Sequence, residues 1–157
     1  MHPENVLTKT LRHEKADSLP WVPFAGVHAG KLIGKTAKEV LTDENALLDA
    51  LLAVHRLYKP HGQPVMFDLQ IEAEILGCDL VWAEDSPPSV KTHPLAETAT
   101  VPCRCTLPTE EDGRIPMVLR TMQVSISTSI PSSPYFSAKR RWVSAIFSGS
   151  SRYWPMV

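Results

Sequence analysis

Residues 26 to 36, "GVHAGKLIGKT", gather glycines, lysines and a threonine between an apolar run and a helical pattern. That is the setting of a phosphate-binding loop, whose backbone N–H groups wrap an anion at the start of a helix. The chemistry requires G-x-x-x-x-G-K-[ST]. Gly34, Lys35 and Thr36 match the end, but Ala29 stands where the first glycine is needed and Gly30 comes one residue too late. "VMFD" at 65–68 also imitates the apolar run and Asp of a magnesium-binding strand. A one-residue change in the ring misplaces its donors, and Leu32 and Ile33 inside it are packing residues. The loop is therefore expected to pack, with Lys35 in solvent at the start of a helix.

Other chemistry-bearing residues are as weakly grouped. Glu72 and Glu74 are two apart, so on a helix they point different ways and form no acid/base pair. Cys103, Cys105 and the upstream His93 have metal-ligand chemistry, but the surrounding sequence reads as a loop, and the thiols are expected to be unligated. The N-terminal "MHPENVLTKTLRHEKADSLP" is charged and has no apolar h-region, which predicts a reducing, cytoplasmic setting with Cys78, Cys103 and Cys105 as thiols. A net charge of −1 gives no bulk attraction to nucleic acid or membrane. No apolar run approaches the roughly 20 residues of a bilayer span.

The elements that would position these residues alternate. "ENVLTKTLRHEK" reads as a short amphipathic helix and "WVPFAG" as a strand, with Pro20 and Pro23 better suited to its start or edge than its middle. Thr36 and Glu39 have capping-box spacing, and Thr42 with Asp43 can cap the next helix. From Ala46 to Tyr58 a leucine-rich stripe predicts a long helix that Pro60 stops. "PVMFDLQ" reads as a strand, "IEAEILG" as a helical turn capped by Gly77, and "CDLVWAED" as a strand. In "GRIPMVLRTM", Ile115, Val118, Leu119 and Met122 fall at helical spacing with Pro116 early enough to be tolerated. Alternating helices and strands predict an α/β fold with parallel strands near 21–25, 64–68 and 79–83.

The last part of the chain differs. All 17 acidic residues precede position 113, and ten of the 34 residues from 124 to 157 are serine. Residues 1–123 are expected to form the folded part, and 124–157 an irregular tail, disordered or unrelated to the rest.

"WVPFAGVHAG", "PVMFDLQIEAEILGCDLVWAEDSPPSVKTHPL" and "GRIPMVL", in that order and spacing, resemble the uroporphyrinogen decarboxylase superfamily, which includes the cobamide-dependent methyltransferases. The resemblance covers about residues 4–123 and implies the N-terminal part of a (β/α)8 barrel, cut short. "EAEILGCD" followed by a Pro pair and "HPL" looks closer to the methyltransferase-like branch. The decarboxylases carry Arg-Gln-Ala-Gly-Arg-Tyr after the first strand, whose arginines read the substrate carboxylates. Here only Ala25 and Gly26 match: Pro23 and Val27 occupy the Arg positions, Phe24 the Gln position and His28 the Tyr position. A polycarboxylate would lose its charge-assisted contacts.

Barrel sites are built at the C-terminal ends of strands, so the resemblance selects His28, Asp68 and Gln70 as substrate-binding residues, with Glu84 and Asp85 expected in solvent. Asp68 lies near the position of the Asp that holds pyrrole N–H groups in the decarboxylases; as a plain structural residue it would cap the helix near Ile71. The expected activity of intact relatives is methyl transfer from a corrinoid, or a corrinoid protein, to a thiol. Zinc would assist there, held by a His-x-Cys pair and a later Cys beyond the resembling stretch; no cofactor is expected on the present residues. The alternatives are decarboxylation of uroporphyrinogen, a small-molecule substrate, and an inactive remnant, since three strands leave open edges and enclose no pocket.

Overall fold

The computed structural model describes residues 3–65, 68–96, 98 and 108–129. Its centre is the helix α4, Glu44–Tyr58, on which Ala46, Leu47, Ala50, Leu51 and Val54 are buried at the spacing of one helical face. Asp43 starts it by accepting the Ala46 N–H at 2.7 Å. Lys59, left-handed at φ 48, ends it ahead of Pro60. Together with Ala29, Val40, Leu41 and Met117 these side chains make the core. Burial of each Leu contributes roughly 1.5–3 kcal/mol.

Before α4 come α1, Pro3–Leu11, α2, His28–Lys31, and α3, Ala37–Thr42. The expected capping box opens α3: Thr36 Oγ1 accepts the Glu39 N–H at 3.2 Å and Glu39 Oε2 accepts the Thr36 N–H at 2.8 Å. Asp43 alone caps α4; Thr42 instead donates its hydroxyl back to the Lys38 carbonyl. Helix α2 falls in what reads from sequence as a loop. Gly30 explains its position, because a Cβ there would stand 2.8 Å from the Lys35 carbonyl and 2.9 Å from Val40 Cγ2. Only a glycine lets α2 lie this close to the start of α3.

The expected strands need correction. Residues 21–25 form no strand among the described residues; within them the Trp21 carbonyl accepts the His61 N–H and the Trp21 N–H donates to His61 Nδ1. Of residues 64–68, Met66 and Phe67 lie outside the described residues, and the flanking positions are not in a strand. The third expectation holds as β1, Asp79–Val81, following the short helix α5, Ile71–Ile75, and Gly77 at φ 91. Its partner is β2, Ser89–Thr92, and the pair is antiparallel, not parallel. The physical reason is local: "SPP" at 86–88 turns the chain back on itself, and Thr92 Oγ1 donates to Asp79 Oδ2 at 2.6 Å across the pair. Short-range pairing of this kind carries no periodicity signal in four residues such as Ser89–Thr92.

Helix α6, Ile115–Ser129, packs on α4 and runs through the position expected to begin the tail. Its buried face is Ile115, Met117 and Thr121, with Val118, Leu119 and Met122 half-buried, so the helix is turned relative to the apolar spacing. The remainder of the tail, Cys103 and Cys105 lie outside the described residues; Cys78 is a buried free thiol. No helix among the described residues is long and apolar enough to cross a membrane.

Candidate functional site

The opening loop is closed to an anion. Every early N–H at the start of α3 except that of Lys38 already has an acceptor: Thr36 and Glu39 serve each other, and the Ala37 N–H donates to the Glu84 carbonyl at 2.6 Å. Lys35 turns to Glu39, Nζ to Oε1 2.8 Å, while its own N–H closes onto the Gly30 carbonyl. The Lys35 hydrogen bond, followed by those from the Thr36 N–H and hydroxyl, holds the Glu39 carboxyl down to about 2. The same Glu39 bond raises the Lys35 ammonium above its ordinary value. The "GKT" residues thus form a helix cap.

The three residues selected for substrate binding divide into two neighbourhoods. His28, exposed at the start of α2, shares a 2.9 Å hydrogen bond between its Nε2 and the Tyr58 hydroxyl. The Trp21 ring meets Tyr58 edge-on with centroids 6.3 Å apart. Asp68 and Gln70 sit together before α5, where Asp68 Oδ1 accepts the Gln70 N–H at 2.7 Å. Asp68 is not the helix cap, since Gln70 takes that position without a side-chain bond. Among the described residues no hydrogen bond or ion pair joins His28 to Asp68 or Gln70. Glu84 and Asp85 are exposed as expected, and Asp85 lies 3.2 Å from Lys31.

Asp68 has a partner that sequence reasoning passes over. Its side chain is 0% exposed and its Oδ2 stands 2.6 Å from Arg114 Nη2. The two atoms meet as opposite charges, out of line for a hydrogen bond. Arg114 also donates Nε to Glu74 Oε2 at 2.8 Å and Nη1 to the Leu41 carbonyl at 2.9 Å, and its guanidinium lies 5.0 Å from the Trp82 ring centroid. One side chain thereby ties the end of α3, the 68–70 corner, α5 and the residue after β1 to the start of α6. Arginine suits this work because its rigid fork presents several donors at once.

The approach depends on Gly113 at φ 53, where a Cβ would come within 2.8 Å of Ile75 Cγ1. Before it, the Thr109 N–H and then its hydroxyl bond to Asp112 Oδ2 and hold that carboxyl below its ordinary range, fixing the turn. A signal was present in the sequence: an arginine just ahead of a helix meets the unfavourable end of the helix dipole, so it needs carboxylates elsewhere to hold it.

Among the described residues no three His, Cys, Asp or Glu side chains stand close enough to hold a metal ion. His93, considered beside Cys103 and Cys105, accepts the Leu95 N–H on Nδ1. A shallow polar groove of about 580 Å³ lies between α3 and α4, lined by Lys35, Glu39, Asp49 and Arg56 among others; His28, Asp68 and Gln70 are not part of it.

The fold resembles a methyltransferase from Methanosarcina mazei with a TM-score of 0.61 and 24% identity, over 85% of this chain and 41% of that one. The chain thus spans less than half the length of that relative. No curated protein sequence matches it. The uroporphyrinogen decarboxylase (URO-D) family model matches residues 2–131, running past 123 to beyond the end of α6. The α/β architecture is consistent with the first part of the expected (β/α)8 barrel, and the chain belongs to the uroporphyrinogen decarboxylase (URO-D) family.

Proposed function

We propose that the chain belongs to the methyltransferase-like branch of this family and serves methyl transfer from a corrinoid, free or on a carrier protein, to a thiol acceptor. The observation that carries this reading is the state of Asp68. Decarboxylation needs a carboxylate offered to pyrrole N–H groups, whereas Asp68 is closed to solvent and faces Arg114. Pro23 and Val27, in place of the two arginines that read substrate carboxylates, support the same choice. Likeness to a methyltransferase in fold is compatible with it.

In this reading His28 and Gln70 contact the substrate directly, and Asp68 supports the Gln70 corner from below. His28, bonded to Tyr58, offers an imidazole at an exposed edge; Gln70 offers an amide that can both donate and accept. Zinc, where bound in such methyltransferases, makes the acceptor thiolate available at neutral pH. The described residues do not provide its ligands.

The test sets two substrates against each other. Loss of the methyl–cobalt absorbance of methylcobalamin, with a thiol and added zinc, supports the proposal. Release of carbon dioxide from uroporphyrinogen would replace it with decarboxylation. Neither reaction would leave the inactive remnant as the better description.

A further inference from the structure

The hydrogen bond between His28 and Tyr58 can run in either sense, and the chemistry of its two groups selects one. A phenol is a stronger acid than a neutral imidazole, and its oxygen, whose lone pairs are shared with the ring, is a poor acceptor. The unprotonated imidazole nitrogen is a good one. Tyr58 therefore donates its hydroxyl to His28 Nε2 at 2.9 Å. A neutral imidazole carries one ring proton, so that of His28 sits on Nδ1. Among the described residues neither side chain makes another hydrogen bond.

We propose that Tyr58 is a positioning residue: it holds His28 in the Nδ1–H form, so that His28 meets its substrate as a hydrogen-bond donor and not as a base or a metal ligand. The fold supports both partners. Tyr58 ends α4, half-buried against the core, and the Trp21 ring meets it edge-on. His28 opens α2, which packs on α4 and whose next two residues, Ala29 and Gly30, are buried. The imidazole and phenol planes are inclined by 39° with centroids 6.2 Å apart, so the two rings meet through the hydrogen bond and not by stacking. His28 itself is exposed, with one ring nitrogen left for a ligand.

For its ligand the inference rests on the corrinoid reading. A donor selects an acceptor oxygen, and the rim of a corrinoid macrocycle carries carboxamide side chains whose carbonyl oxygens accept. His28 thus contacts the periphery of the corrinoid and not its cobalt.

The experiment is long-range proton–nitrogen correlation of the histidine rings in the full chain, in alkaline buffer where imidazole is neutral, with the His28 signals assigned by their loss in His28→Gln. The wild-type ring should show the Nδ1–H form. Tyr58→Phe, which keeps the ring on Trp21 and removes only the hydroxyl, should return His28 to the Nε2–H form that an unconstrained histidine prefers. The same substitution should weaken methylcobalamin binding about fivefold, the effect of one hydrogen bond. His28→Asn, whose amide N–H takes the place of Nδ1–H, should retain binding and make it indifferent to Tyr58→Phe. An Nε2–H form in the wild type, an Nδ1–H form that persists in Tyr58→Phe, or binding lost in His28→Asn overturns the proposal. A wild-type chain that shows the Nδ1–H form, loses it in Tyr58→Phe and leaves methylcobalamin unbound supports the role of Tyr58 and defeats the corrinoid reading.

Discussion

Arg114 Nη2 lies 2.6 Å from Asp68 Oδ2, a guanidinium against a carboxylate that has no exposed surface. Removing one member of such a pair costs more than the pair contributes, because the other charge is left buried and uncompensated. Arg114→Met should therefore destabilise the fold by about 3–5 kcal/mol. Arg114→Lys should recover only part, since an ammonium cannot reach Asp68, Glu74 and the Leu41 carbonyl together. In urea melts, Asp68→Asn combined with Arg114→Met should cost less than the sum of the single changes; additivity would mean that the two residues do not act as a pair.

The helix cap gives a pH signature with a defined sign. The folded-state pKa of Glu39 is lowered, first by the Lys35 hydrogen bond and then by Thr36. Its contribution is present above the ordinary 4.5 and disappears as pH falls through about 2. Melting-temperature differences between wild type and Glu39→Gln should be full at pH 6 and shrink steadily below pH 4.5. A difference that is constant down to pH 2 would show that the carboxylate is not bonded as described. Thr36→Ala removes the other half of the capping box and should cost about 1 kcal/mol.

Gly30 and Gly34, two of the three glycines of the opening loop, should respond differently to alanine. Gly30→Ala drives a Cβ into the Lys35 carbonyl and Val40, an overpacking worth roughly 1–3 kcal/mol. Gly34→Ala meets nothing within 4 Å, and its cost, on the order of 1 kcal/mol, comes from φ 69 alone. Denaturation midpoints measure both; equal losses would contradict a packing role for Gly30.

A cap in place of a phosphate loop also predicts a binding result. Titration with ATP and magnesium should give no saturable signal, and Lys35→Ala should leave the titration unchanged. Saturable binding abolished by that substitution would restore the nucleotide reading.

What could be read from the sequence was local or strongly periodic. The Thr36–Glu39 box, the Asp43 cap, the stripe on α4 and Gly77 each follow from bonds or spacings within a few residues, and each stands as expected. Pairing of β1 with β2 was not legible, because a three-residue and a four-residue strand are too short to alternate convincingly. The turn of α6 was missed because Thr121, polar by type, occupies a fully buried position that the apolar pattern assigns to its neighbours. The barrel rim implied by the family resemblance selected His28, Asp68 and Gln70 as candidates but said nothing of their partners. Tyr58 and Arg114 are brought to them by tertiary packing, and no spacing along the chain encodes that.

The most direct measurement of the functional account is a pair of equilibrium titrations, methylcobalamin and uroporphyrinogen, each against the wild-type chain and His28→Ala. The account predicts saturable binding of methylcobalamin, weakened by His28→Ala, and no saturable binding of the polycarboxylate, for which Pro23 and Val27 provide no cation. Saturable uroporphyrinogen binding, with methylcobalamin left unbound, would contradict it.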